Sequence, residues 1–443
     1  MLLRLTLFDA SNNIRSEILI NYELFRIMSL NLLKYNRHWG KNFRYSFPKK
    51  REIFQELAKS IFKKRIVELT GLRRSGKTTL LFQLINHLLE EEGLDPFHIL
   101  YFTFDEEKVK IDNLLKNLFQ QTQVDYREEK IYVFLDEIQK LPDFQNQLKV
   151  YYDLYPNIKF LISGSSSFFI KKKSQESLAG RTISFFLPPL NFREYLYFKD
   201  KSEIIKRPLL YQEEIKREFE VFLESQFIES IGIKGVQERK DYFKSIIRKI
   251  IFEDIPQIFP IENPEILFRI VKIIGQEPGI LIDYQKLSRE IGISNKTLSL
   301  YLFYLSESFL VKKIFNFSRN LITSEKKLKK FYLASPSFSW AMTDFIKRGK
   351  LAENLVISLN DYRFFWRDSY QHEVDFIQVR DKKIEPIEVK YKNGYVSKSD
   401  IKNLILFLNK FKLRKGIVVG NFLAERSEKI NKATIKSFPI YFV

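Results

Sequence analysis

The sequence points to an α/β protein, with a parallel sheet covered by helices on both faces, a helical segment after it, and a further α/β unit at the C-terminal end. Three observations carry this expectation. β-like runs alternate with helical patterns from about residue 49 to 195, a Gly-containing loop separates the first run from a helix, and new strands and turns begin near Leu351. The 443 residues exceed one hydrophobic core, and a prior of roughly 100–200 residues per domain implies two to four domains.

Residues 1–48 read as an N-terminal extension. A strand-like piece, Leu2 to Phe8, gives way to a mixed stretch in which Met28 is an alternative start, and no function is read there. Residues 49–195 hold the parallel sheet. The amphipathic Arg51 to Phe62 leads into the β run Arg65 to Thr70, the loop, and the apolar-periodic helix Thr78 to Glu92. Further runs follow at Ile99–Phe104, Ile131–Leu135, Lys159–Ser163 and Thr182–Leu187, and Pro188-Pro189 stops the sheet. Charged, aromatic-rich helices fill 196–262. A winged-helix-like pattern covers 263–320, and the Lys-rich stretch Glu325 to Lys330 is a surface turn or linker. Residues 345–443 form the last unit, closing with a helix at Ser397–Phe411 and a strand at Lys415–Val419. No internal repeat occurs at a fixed period.

Composition narrows the function classes. The chain is 45% hydrophobic with 42 Phe and 22 Tyr, enough for several packed cores and too apolar for extensive disorder. Lys and Arg exceed Asp and Glu by 20, which favours a polyanionic partner, nucleic acid first; spread along the chain, the same excess also suits a solvated Lys-rich surface. There is no Cys and only four His, so disulfides, thiolate zinc sites and iron–sulfur clusters are excluded and a histidine metal cluster is not expected. A reducing cytoplasm fits. Charged residues interrupt the apolar runs well before the 18 or so residues of a membrane span, so no membrane association is expected.

The loop Gly71-Leu72-Arg73-Arg74-Ser75-Gly76-Lys77-Thr78 satisfies the P-loop pattern between a strand and a helix. Gly71 and Gly76 let the backbone wrap phosphate so that amide N–H groups and the helix N-terminus face the anion. Lys77 is expected to reach the β and γ phosphates of ATP, and the Thr78 hydroxyl to ligate Mg²⁺. A P-loop NTPase also needs a carboxylate at the end of a neighbouring strand, which Ile131–Leu135 followed by Asp136 and Glu137 supplies. Asp136 is expected in the magnesium shell and Glu137 to orient or deprotonate the attacking water. Ser163 and Ser165, ending another strand run, are sensor candidates or plain turn residues. Arg181 is a candidate arginine finger, acting in cis or on a neighbour, or a structural ion-pair partner.

The strings Leu69-Thr-Gly-Leu-Arg-Arg-Ser-Gly-Lys-Thr-Thr-Leu-Leu, Phe-Leu-Asp-Glu-Ile-Gln, Ile-Ser-Gly-Ser-Ser-Ser, Leu-Ala-Gly-Arg and Leu190-Asn-Phe-Arg-Glu-Tyr resemble the AAA+-type P-loop ATPases of archaea and bacteria that carry a C-terminal region of uncertain role. The resemblance spans about residues 50 to 410. It implies a cytoplasmic ATPase, and Arg73 and Arg74 match the family's basic pair in the loop.

From Tyr284 to Leu305, apolar residues at Leu287, Ile291, Ile293, Leu298, Leu302 and Leu305 suit two helices crossing over one core. Gly292 suits the turn and Ser294 the cap of the second helix. In a DNA groove that helix would offer Asn295, Lys296, Thr297 and Ser299; a packing or partner module is the other reading. Phe309 to Phe315 would form the wing.

In the last unit, Glu373-Val-Asp375 precedes a turn at Arg380–Lys383 and then Ile387-Glu388-Val-Lys390. The spacing resembles that of PD-(D/E)xK nucleases, the restriction-endonuclease-like fold. Asp375 and Glu388 would hold Mg²⁺ or Mn²⁺, Lys390 would activate water or stabilise the phosphate, and Glu353 matches the upstream helix glutamate. Val374 replaces the expected Pro, and Pro386 limits how early the second strand pairs. A hairpin with a charged face, or an inactive nuclease fold, is the alternative. The sequence-level expectation is therefore Mg-dependent ATP hydrolysis coupled to DNA binding or cleavage. Its rival is a nucleotide switch whose C-terminal region binds a protein partner, and a homo-oligomer is compatible with either.

Overall fold

The computed structural model describes residues 30–165, 178–392, 396–430 and 432–443. Leu2–Phe8, Met28 and Ser166 lie outside the described residues.

The first sheet has five strands: β1 (Ile66–Gly71), β2 (Ile99–Thr103), β3 (Ile131–Asp136), β4 (Ile158–Gly164) and β5 (Thr182–Leu187). They run in the order β2-β3-β4-β1-β5, every pair parallel. β1, β3 and β4 are buried along their whole length, which parallel strands achieve only with helices on both faces. The helix before β1, α1 (Phe54–Ser60), and those after β1, β2 and β3, α2 (Lys77–Glu90), α3 (Ile111–Thr122) and α4 (Phe144–Leu154), contribute apolar faces to one core with these strands. Strand order was not legible in the sequence. Asp136 was expected on a neighbour of the P-loop strand, whereas β4 lies between β1 and β3 and inserts Ser163 between them.

From Leu190 onward the chain does not divide as its sequence suggested. α5 (Phe192–Phe198), α6 (Gln212–Leu223), α7 (Val236–Lys249) and α8 (Pro264–Gln276) share one continuous core with residues as far along as Tyr441. Tyr441 packs on Phe192 and Phe219, with ring centroids 5.9 and 4.9 Å apart. Two helices, α9 (Tyr284–Ile291) and α10 (Asn295–Glu307), follow, joined at Gly292 with φ +83° and capped by Ser294 Oγ on the Thr297 amide.

The remaining strands form a single nine-stranded sheet, β13-β14-β12-β11-β10-β9-β7-β8-β6. They are β6 (Ile280–Ile282), β7 (Val311–Asn316), β8 (Lys329–Leu333), β9 (Phe364–Arg367), β10 (Glu373–Arg380), β11 (Lys383–Lys390), β12 (Lys415–Gly420), β13 (Arg426–Ile430) and β14 (Ala433–Pro439). β7 pairs parallel to β9 at Phe315 and Phe364, so the boundary drawn between 320 and 345 cuts through one sheet. Pairing hides an edge on each side, and an exposed edge is a liability. The stretch Glu325–Lys330, expected as a linker, ends inside β8. Between α11 (Arg348–Leu359) and α12 (Lys402–Phe411), β9, β10 and β11 make an antiparallel meander, and β12 then joins β11 in parallel. β11 pairs with β10 from Lys383, through Pro386, while its pairing with β12 is registered only from Ile387. Pro386 therefore limits one neighbour and not the other.

Candidate functional site

The loop after β1 is shaped by its glycines. A Cβ on Gly71 would stand 2.6 Å from the Leu187 carbonyl oxygen, and Gly76 has φ +99° at the start of α2. Arg51 holds the loop from behind. Its buried guanidinium donates to the Ser75 carbonyl (3.1 Å) and the Pro188 carbonyl (3.0 Å), and pairs with Glu194 at 2.7 Å. The Lys77 ammonium donates to the carbonyls of Gly71 and Leu72, both at 3.1 Å, and stands 3.9 Å from the Glu137 carboxylate. Ser75 Oγ is buried with no hydrogen-bond partner among the described residues, inside a loop that offers its backbone to an anion.

Asp136 ends β3 as the centre of a polar network. It accepts from Thr78 Oγ1 (2.6 Å), Tyr101 OH (3.1 Å), Ser163 Oγ and the Glu137 amide (3.1 Å). Glu137 takes a left-handed backbone, φ 52°, and its carboxylate accepts from Gln139 Nε2 and from Ser165 Oγ at 3.3 Å. Burial pushes the Glu137 carboxyl above the usual range; Lys77 opposes the shift and Asp136 adds to it. The Thr78 hydroxyl and the Asp136 carboxylate are the oxygen pair suited to Mg²⁺, and the unpartnered Ser75 hydroxyl fits a phosphate-bearing ligand.

A cavity of about 650 Å³ opens from Lys77, Thr78 and Glu137 toward Phe47, Phe198 and Ile228. Gln83 fixes the near wall by donating to the Phe47 and Lys49 carbonyls at 2.8 and 2.9 Å. Those wall residues were missed: Phe47 belongs to a stretch given no role, and Phe198 and Ile228 lie far along the chain. Gln139 had a signal, since it stands two residues past Glu137 in the same motif.

Arg73 and Arg74 reach out of the loop. Arg73 pairs with Asp254 at 2.7 Å and Arg74 with Glu229 at 2.9 Å. Arg181 requires a correction. Its carbonyl accepts from the Ile66 amide, so it sits at the start of β1 and β5, opposite the end that carries the loop. Six residues of strand, about 20 Å, separate it from Gly71. Its guanidinium forks onto Asp153 at 2.9 Å, so a cis arginine finger does not fit this geometry.

The C-terminal carboxylates converge differently. The register that pairs Phe376 with Ile387 sets Asp375 opposite Glu388. Asp375 accepts from the Val389 amide (2.8 Å), and Glu388 Oε1 meets Lys390 Nζ at 2.6 Å while its Oε2 is buried without a partner among the described residues. Glu353, on α11, accepts from Tyr332 OH (2.6 Å) and from the buried Lys330 (3.2 Å). Burial and the facing carboxylates push Asp375 well up, and burial raises Glu388 against the pull of Lys390. Burial alone would raise Glu353 too, but Lys330 and Lys350 hold it at about 2. Among the described residues no group of three or more His, Asp or Glu is arranged to hold a metal ion.

A five-stranded parallel sheet with a phosphate loop on β1 and an acidic pair ending β3 defines an AAA-type P-loop ATPase domain. Residues 63–196 match a family described as an AAA domain, and residues 232–348 and 348–441 match two families described as domains of unknown function, DUF8612 and DUF4143. The uncharacterized protein MJ1637 of Methanocaldococcus jannaschii is 26% identical over 424 residues, covering 86% of this chain and 87% of that one. An uncharacterized protein of Haemophilus influenzae is 27% identical over 259 residues, 55% of this chain and 61% of its own. Among solved structures, the Aeropyrum pernix ORC1 protein in complex with DNA superposes with a TM-score of 0.32 at 12% identity, covering 70% of this chain and 96% of that chain. Among the described residues no helix is long and apolar enough to cross a membrane.

Proposed function

We propose that the chain hydrolyses ATP at the Gly71–Thr78 loop and couples turnover to a C-terminal module acting on DNA. The observation that carries the first half is the constellation of Lys77, Thr78, Asp136 and Glu137 at one end of a cavity large enough for a nucleotide. The loop amides and the α2 N-terminus take the phosphates, and Lys77 exchanges the Gly71 and Leu72 carbonyls for phosphate oxygens. Thr78 and Asp136 would hold Mg²⁺, which would supply charge neutralisation to the phosphates. Glu137 then orients the attacking water and takes its proton on a carboxylate that Gln139 and Ser165 hold in position.

The helix–three-strand–helix–strand arrangement from α11 to β12 supports the nuclease-like reading of the second half, as does Asp375 facing Glu388 with an unpartnered buried oxygen beside Lys390. A second reading, a nucleotide switch that binds a protein and cuts nothing, has its own support: Lys390 and the Val389 amide already occupy the two carboxylates. Incubation with linear and circular DNA, Mg²⁺ or Mn²⁺ and ATP separates them. Cleavage by the wild type that Asp375→Ala lacks is the expected result. No cleavage in any condition, together with ATPase activity indifferent to DNA, leaves the switch.

A further inference from the structure

We infer that the end of the nine-stranded sheet farthest from Asp375 and Glu388 is a docking surface for duplex DNA. The inference rests on the DNA reading above and deepens it by naming where the duplex sits. The region is strongly basic. Residues 380–436 hold fifteen Lys and Arg against six Asp and Glu, a net +9 out of the chain's +20.

The registers then gather that charge at one edge. Arg380 pairs with Lys383 around the β10–β11 turn, where Asp381 and Lys382 have φ of 48° and 64°. Ile387 of β11 aligns with Ile417 of β12, so the start of β12 lies at the same end as that turn. Lys415 aligns with Thr434, and Ile430 pairs with Ala433 around the β13–β14 turn. Three chain segments therefore meet at one sheet end, bringing Lys382 and Lys383, then Lys412, Arg414 and Lys415, then Lys432. All six are exposed, and no ion pair among the described residues engages any of them.

Dimensions and density select the partner. In the order β13-β14-β12-β11-β10 these ends span four inter-strand steps, about 19 Å. A duplex presents one phosphate per about 1.7 Å of axis, a linear array that can meet several of these cations together. Lys383 and Glu388 are five residues apart on β11, about 17 Å, so the surface anchors the duplex and is separate from the carboxylates.

The two-helix unit is the weaker competitor. α10 carries Lys296 as its single cation, Asn295 Oδ1 accepts from Ser288 Oγ at 2.5 Å, and the Thr297 hydroxyl is shared with Ser294 at 2.8 Å.

The test measures binding of a labelled 30-bp DNA duplex to the full chain by fluorescence anisotropy across a salt series. It compares wild type with Lys383→Gln/Arg414→Gln/Lys415→Gln, with Lys412→Gln/Lys432→Gln, and with Lys296→Gln. The triple variant is expected to weaken binding at least tenfold and to lower the slope of log affinity on log salt by about 2 to 3, since each phosphate contact contributes about 0.9. The double variant should lose about 2, Lys296→Gln should change little, and basal ATP turnover should stay at the wild-type rate in all three, reporting an intact fold. If the wild type binds and both sheet-end variants bind equally well, the surface is wrong while the DNA reading stands. A larger loss in Lys296→Gln transfers the contact to α10. Wild type that binds no duplex, or only an RNA duplex of the same sequence, overturns the surface and the DNA reading together.

Discussion

Glu137 sits one residue after the Asp136 network and is built to behave differently from it. Asp136 has four donors around it, whereas Glu137 is half-buried, faces Asp136, and is drawn back by Lys77 at 3.9 Å and by the Gln139 amide. Its carboxyl is therefore easier to protonate than an ordinary glutamate. Glu137→Gln should bind a fluorescent ATP analogue within a few-fold of wild type and lose about 10²–10⁴ in turnover, the typical value of a positioned general base. The acid limb of the wild-type pH–rate profile should fall at a pH above the ordinary glutamate range near 4.3 and be absent from the residual activity of the variant. Unchanged turnover in Glu137→Gln would remove the base from this residue. Lys77→Ala is the complementary case, with nucleotide binding itself lost.

Elements explain which parts of this arrangement could be read in advance. The P-loop is legible because three requirements fall within eight consecutive residues, and the strand before it and helix after it have clear periods. The segment in front of α1 is not. His38 and Trp39 give no local pattern, yet both reach the Ile99 carbonyl of β2, at 3.0 and 2.9 Å, and His38 Nδ1 accepts from Tyr45 OH at 3.1 Å. The C-terminal unit was legible in its strands and turns but not in its extent, because β7 and β8 are rich in Lys and Phe and look like a free hairpin until β9 pairs with β7. The His38 anchor makes a pH prediction. Burial depresses its pKa from 6.5 to about 4, so the neutral ring is the form that folds. Stability from this site is fully present above pH 6.5 and is lost as pH falls toward 4, by roughly 3 kcal/mol in total. Chemical denaturation at pH 7.0 and 4.5 should show that loss in wild type and a smaller one in His38→Gln. Equal losses would mean that other groups carry the acid sensitivity.

Taken whole, the molecule joins its ATPase sheet to the region after Leu190 in part through the phosphate loop itself. Arg73 pairs with Asp254 in the π-type turn Ile250–Asp254, and Arg74 pairs with Glu229 in the short helix Ile228–Gly232, which Tyr242 of α7 also holds at 3.2 Å. Ile228 lines the nucleotide cavity from the same segment. The loop that must wrap the phosphates is thus the loop that grips the helical region. A ligand that stabilises one loop geometry biases both pairs, and by linkage the pairs bias the ligand. The Arg73–Asp254 pair is half-buried, with side-chain exposures of 28% and 11%, so its coupling should exceed that of a surface pair. In a double-mutant cycle of Arg73→Ala and Asp254→Ala read by ATP affinity, a non-additive term of about 0.5–3 kcal/mol is expected, the range for residues in direct contact. Amide hydrogen exchange over residues 228–258 should slow on ATP binding in wild type and respond less in Arg73→Ala. Additive effects with the same exchange response in both proteins would mean that the loop arginines only hold the two regions together, and that nucleotide state travels by the cavity wall at Phe198 and Ile228 instead.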